Sequence, residues 1–184
     1  MPIQLVYQAV DIELDAESFG ASFVELFSDL DTTDLHADIG EHLLNSTDER
    51  FEAERAPDGT AWAPNSPATL VSQYKSRGRG RREFKRGKGG SVELTAGFSR
   101  FLQSKRILQD KGVRGGLRGD ISYRADNGSV ALGVTKLYGR IHQLGGEAAR
   151  GVVLPARAYL GVSDDDRQVI AGIIMRWARE RTGG

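Results

Sequence analysis

The chain has no cysteine. That absence excludes disulfides, thiolate metal sites and thiol nucleophiles together, and it fits a reducing compartment or a bacterial or viral product. No run of about 18 apolar residues occurs, so no segment is expected to cross a membrane as a helix. The opening residues, MPIQLVYQAVDIELDAES, lack a basic stretch and turn acidic quickly, which is not the pattern of a signal peptide. An excess of one charge is also missing: 25 basic residues stand against 25 acidic ones. Histidine occurs only three times. His36 and His42 are six apart, off the i, i+4 spacing of a helical metal pair, and are read as partly solvated. His142, in GRIHQLGG, has no cysteine or evident acid beside it and is read as packing or hydrogen bonding. A hydrolase built on His142 is the weakest of the functional alternatives.

Other signatures of catalysis fail in the same way. Ser163 is not in a GxSxG setting. The stretch GRGRREFKRGKG has glycines but no preceding strand and no following GK[ST], so a phosphate loop is not expected. Asp164, Asp165 and Asp166 are explained by their place at a helix start, where carboxylates favour the positive dipole end. No catalytic, cofactor-binding or metal-ligating residue is assigned, and the chain is read as a non-enzyme with no cofactor.

What is present is charge segregation. Residues 1–74 hold 15 acids against Arg50 and Arg55; residues 75–88 hold eight bases against Glu83; residues 89–184 hold 15 bases against nine acids. An acidic front and a basic back suit either contact with a polyanion or contact between unlike faces of two copies. Lys75, Arg77, Arg79, Arg81, Arg82, Lys85, Arg86 and Lys88 are therefore candidate DNA or subunit contacts. A solvated insertion is the bland alternative. Arg and Gly interleave there, and only Phe84 is aromatic, so any DNA contact would be to phosphates without base reading.

At 184 residues the chain is read as a single domain spanning 1–184. Residues 1–15 are expected to form a strand or arm, centred on QLVYQAVDIEL. Phe19, Phe23, Phe27 and Leu30 recur at helical spacing over 18–31. Thr33 is placed to cap a second helix whose stripe is Leu35, Ile39, Leu43 and Phe51. Ser66-Pro67 reads as an N-cap followed by proline at the first helical position. Residues 75–92 are expected to be a flexible basic loop. A helix is placed within 92–108 on Leu94, Phe98, Phe101 and Leu102. Ile121, Tyr123, Ala125 and Val130, Leu132, Val134 alternate on either side of Asp126-Asn127-Gly128, whose Asn-Gly favours the positive φ values of a hairpin turn. KLYGRIHQLGG is a short helical piece and VVLPARAYLGVS is extended. Ser163 caps a helix over 163–182 with the stripe Val169, Ile170, Ile173, Ile174 and Trp177. The fold class is α+β: a small antiparallel sheet, including a β-hairpin, packed against several amphipathic helices, with a long basic loop.

The block LYGRIHQLGGE…GVVLPARAYLGVSDDDRQVIAGII resembles the phage virion-morphogenesis, or tail-completion, family. The residues carrying the resemblance are Tyr138, His142, Gln143, Gly145, Gly146, Pro155, Ala156, Arg157, Tyr159, Leu160, Gly161 and Ser163. Trp62, Pro64 and Ser66 in AWAPNSPATL resemble a further segment, as does LTAGFSRFL, and the resemblance spans roughly residues 35–178. It implies a structural subunit of a tailed-phage neck, a tail terminator or tail-completion protein whose copies form a ring, a hexamer by tail symmetry, joining tail tube to head. A head-side stopper or connector, or a non-specific DNA-binding accessory protein, are the alternatives. Implied partners are further copies, other neck and tail proteins (a stopper or connector, the tail tube) and packaged DNA, with no membrane. The implied location is the virion neck, after synthesis in host cytoplasm. The motif residues Trp62, Tyr138, His142, Gly145, Pro155, Arg157 and Leu160 take structural roles under this resemblance. Trp62 and Tyr138 would pack helix, loop and hairpin into one core, or Trp62 would lie at a subunit seam, and Arg157 needs a carboxylate or carbonyl partner.

Overall fold

A computed structural model describes residues 10–12, 30–78, 82–109, 116–148 and 151–182. The first long element is helix α1, Thr33–Ala53. Its Leu35, Ile39, Leu43 and Phe51 fall on a row four residues apart, with Thr47 completing it, and all five are buried. Gly40 lies on the side of α1 that meets the sheet. A Cβ there would run into the Tyr123 ring, so the missing side chain is what lets helix and strand approach. The helix begins at Thr33, as the spacing implies, but Thr33 does not cap it. Asp31 Oδ1 accepts from the Thr33 N–H at 2.9 Å instead.

Strands β4 (Ile121–Asp126) and β5 (Ser129–Val134) form the expected hairpin. Strand β1, Val10–Ile12, pairs antiparallel with β5, placing Val10 opposite Leu132 and Ile12 opposite Val130, so β5 is central. At the turn only Gly128 takes a positive φ, 92°. Asn127 contributes its side chain rather than its backbone. Its Oδ1 accepts from the Thr32 N–H at 3.0 Å and the Thr32 hydroxyl at 2.8 Å, tying the turn to the start of α1.

The C-terminal helix, which we call α5, is Asp164–Thr182, and it packs on α1 while α1 crosses β4 and β5. Ile170, Ile173, Ile174 and Trp177 are buried, but Val169 is 45% exposed. At 100° per residue it falls on the flank of the stripe rather than within it.

A second, smaller cluster holds Tyr74, Phe98 and Phe101, with Leu70, Val71 and Leu102 against them. It is built by α2 (Pro67–Ser76), strands β2 (Phe84–Arg86) and β3 (Val92–Leu94), and α3 (Ala96–Ser104). Ser66 Oγ accepts from the Thr69 N–H at 3.2 Å, with Pro67 opening the helix. This unit corrects two expectations. Part of the stretch expected as flexible loop is an antiparallel hairpin, in which Lys85 faces Glu93 and Arg86 faces Val92. Leu94 belongs to that hairpin, and α3 starts only at Ala96, capped by Thr95. In the sequence, the density of positive charge hides the pairing of Phe84 and Arg86 with Leu94 and Val92.

The last elements before α5 are a short helix α4 (Gly139–Leu144) and a third hairpin of β6 (Gly146–Ala148) and β7 (Val152–Leu154). The architecture is α+β with three small antiparallel sheets among the described residues. Most of the helix expected over 18–31, all but Leu30 and Asp31, which are not helical, and most of the strand expected over 1–15 lie outside the described residues. Among the described residues no helix is long and apolar enough to cross a membrane.

Candidate assembly interface

Two regions carry the residues singled out by sequence. The first is the basic hairpin. Lys75 sits on α2, with Nζ 2.9 Å from Glu83 Oε1, and Lys85 lies 3.3 Å from Glu93. Arg77 stacks over the Phe101 ring at 4.8 Å, a cation–π contact. Three of the eight bases are thus engaged within the chain. Arg82, Arg86 and Lys88 are exposed along β2 and its tip. Arg79 and Arg81 lie outside the described residues. Phe84, Val92 and Leu94, on the same hairpin, are substantially exposed.

The second region is the segment from Tyr138 to Ser163 with its anchor in α1. Trp62 is buried, donates from Nε1 to the Ala158 carbonyl at 2.8 Å, and meets Phe51 edge-on at 5.1 Å. Tyr138 is not its partner in that core: 44% of it is exposed, and it touches His142 edge-on at 6.0 Å. The ring that completes the Phe51 site is Tyr159, at 5.7 Å and fully buried.

Arg157 is 5% exposed and satisfies its guanidinium with carbonyls: Nε donates to Ala63 O at 2.7 Å and Nη2 to Pro64 O at 3.0 Å. Pro155 fixes φ two residues before it, and the Arg157 N–H donates to the His142 carbonyl at 2.7 Å. His142 itself is half-buried. Burial first, and the neighbouring Arg157 charge second, lower its pKa below the usual imidazole value, so it is neutral near pH 7. Gly145 has φ 70°, and a Cβ there would lie 2.7 Å from the Ala156 nitrogen, so the turn into β6 requires glycine.

Leu160 is buried and is held by Gln143. The Gln143 Oε1 accepts from the N–H groups of Tyr159 and Leu160 at 2.9 and 3.0 Å, and its Nε2 donates to the Leu160 carbonyl at 2.9 Å. A primary amide supplies donor and acceptor together, which explains glutamine here. Gln143→Glu turns the donor into a carboxylate oxygen facing a carbonyl. A loss of about 1–3 kcal/mol in urea unfolding is expected.

Three buried charges are not legible as such in the sequence. Arg50 on α1 pairs with Asp166 on α5, and donates to the carbonyls of Gly161 at 2.9 Å and Tyr159 at 3.3 Å. Asp166 also accepts from the Ser163 N–H at 2.8 Å and hydroxyl at 2.7 Å, while His42 Nε2 lies 3.0 Å from it. Arg118 binds Asp48 and Glu52 on α1, its Nη2 reaching Asp48 Oδ2 at 2.6 Å. The one signal for Arg50 is that it is one of two bases among the first 74 residues. His36, expected to be partly solvated, is buried, with Nδ1 2.7 Å from the Thr32 carbonyl.

None of these groups forms a catalytic arrangement. Each buried charge is paired or bonded for structural ends, and among the described residues no cluster of His, Asp or Glu suits a metal ion. The segment also presents apolar side chains outward, beside the exposed Arg140 and Glu147. Leu137 is 94% and Val153 76% exposed, and Leu144 and Val152 are exposed as well. The sequence pattern of the phage virion morphogenesis family matches residues 21–87 and 91–178. The chain belongs to the phage virion morphogenesis family. The match begins ahead of the span seen in the motifs, and its break at 88–90 is the tip of the basic hairpin. As a family member the chain is a structural protein of the phage virion with a general role in the tail or neck, not an enzyme. No curated protein and no solved structure matches it.

Proposed function

We propose that this chain is a tail-terminator or tail-completion subunit, whose copies close into a ring at the junction of tail tube and head. The observation carrying this reading is the uncovered apolar surface of Leu137, Leu144, Val152 and Val153 on the segment within the family match. Several exposed aliphatic side chains within one segment favour contact with another protein. The charge segregation supplies unlike faces, which a ring of identical copies needs, because a ring interface is heterologous. Six copies follow from the symmetry of tails. The test is native mass spectrometry of the purified chain, then of the chain mixed with tails lacking it. A closed ring that joins tails is expected; a chain that stays monomeric and never joins tails ends the reading. Joining heads rather than tails points to a head-side stopper or connector.

The exposed Arg82, Arg86 and Lys88 favour a second role for the same ring, holding DNA phosphates in its channel. Changing Arg82, Lys85, Arg86 and Lys88 to Gln is expected to flatten the salt dependence of DNA binding, by roughly one unit of log–log slope for each phosphate that the hairpin no longer neutralises. Unchanged affinity and unchanged assembly would make the hairpin a solvated insertion.

A further inference from the structure

Beside α2, α4 and β7 lies a cleft of about 410 Å³ whose described lining includes Lys105, Arg106 and Arg157 and no acid. The chain as a whole is neutral, so the positive charge that Arg106 and Arg157 bring to the described lining is local. Arg157 is buried there against two carbonyls, and no carboxylate among the described residues meets it. A buried guanidinium without a counter-charge is costly, and an incoming carboxylate would relieve it. Two further polar atoms at the cleft lack hydrogen-bond partners while buried: His142 Nδ1 and Gln73 Oε1. One wall is apolar, formed by Val152, Val153, Leu154 and Pro155.

This mixture selects a polypeptide over a nucleic acid. The apolar wall has nothing to gain from a sugar-phosphate backbone. The matching ligand is a segment with carboxylates and large apolar side chains.

The chain contains such a segment. Residues 13–29, ELDAESFGASFVELFSD, carry Glu13, Asp15, Glu17, Glu25 and Asp29 with no base, and Phe19, Phe23 and Phe27. The described residues on either side fix where it starts and ends. Ile12 pairs with Val130, and Thr32 bonds to Asn127, so both flanks lie at the turn end of the β4–β5 hairpin. The cleft is at the other end, beside Leu117 and Tyr138, which lead into β4 and out of β5. A strand of this length separates the two ends by roughly 20 Å. Each copy thus offers an acidic-apolar segment rooted at one end of its sheet and a cationic-apolar cleft at the opposite end.

We propose that residues 13–29 of one copy dock in the cleft bounded by Arg106, Arg157, His142 and Val153 of the next, making the head-to-tail contact of the assembly. The proposal rests on the reading of the chain as a self-assembling ring. It specifies which two surfaces meet: one carboxylate pairs with Arg157 and Arg106, and a phenylalanine lies on Val152 and Val153.

The test is a fluorescently labelled peptide of residues 13–29 titrated into the full chain, below the concentration at which copies associate. Saturable binding is expected, weakened by about tenfold or more in Arg106→Glu and in Val153→Asp. Both positions are exposed, and circular dichroism confirms that the variants fold. A peptide with its five acids changed to Gln is expected not to bind. Absence of saturable binding, or binding indifferent to both variants, overturns the docking. Displacement of the peptide by duplex DNA at matched charge also overturns it, because the cleft would then read phosphate. Native mass spectrometry is read separately: rings without peptide binding leave the ring reading intact and sink this contact, whereas peptide binding without rings does the reverse.

Discussion

Asp166→Ala is expected to cost about 3–5 kcal/mol in chemical unfolding at pH 7, a large part of the roughly 5–15 kcal/mol that holds a domain of this kind together. The reason is what remains behind. Arg50 would keep its bonds to the Tyr159 and Gly161 carbonyls but lose the charge that offsets its burial. The Ser163 N–H and hydroxyl would lose their acceptor at the start of α5. Arg50→Met is expected to be similarly costly, since it strands Asp166 and the two carbonyls. The same site sets an acid limit. Burial by itself would raise the Asp166 carboxyl, but hydrogen bonds from Ser46 and Ser163 and the Arg50 charge outweigh it, and the pKa falls below the usual aspartate value. A carboxyl depressed on folding contributes stability that is complete above its unfolded value and is lost as pH drops through the native one. Urea midpoints of the natural chain should therefore decline as the pH is taken below about 4. In Asp166→Asn that part of the acid dependence should be absent. A cost under about 1 kcal/mol at pH 7 would mean that the pair is worth no more than an exposed one.

Phe51→Ala should be of comparable size, about 3–5 kcal/mol. Phe51 is wholly buried and meets both Trp62 and Tyr159 ring to ring. Those rings join α1 to the loop carrying Ala63 and Pro64, and to the segment carrying Arg157. A cavity at Phe51 therefore loosens the anchorage of the outward-facing apolar segment as well as the core. Trp62 fluorescence reports it directly: a red-shifted emission and an earlier urea midpoint are expected together. Assembly should weaken in proportion, while a variant that keeps full stability would show that the surrounding side chains collapse to fill the space.

The basic hairpin and the paired arginines show how differently the parts of this chain read. The stripe Leu35, Ile39, Leu43, Phe51 needs only its own spacing to be found, as do the alternation around Asn127-Gly128 and the Ser163 cap of α5. Local periodicity and capping are properties of neighbouring residues, so they survive in one dimension. The motif residues from Tyr138 to Ser163 likewise suffice to indicate the family. Asp166 is legible only as one of three acids at a helix start, because a dipole partner and a buried ion-pair partner look alike until the other charge is placed. That other charge is 116 residues away. The carbonyl partners of Arg157 lie 94 and 93 residues from it, and Tyr159, not Tyr138, fills the space beside Phe51. Elements, caps and family were thus determined by residues near one another in the chain. Which charges are buried, which aromatic ring is core and which apolar side chains are left facing outward were decided only by tertiary packing, since burial is a relation between distant segments and no single segment carries it.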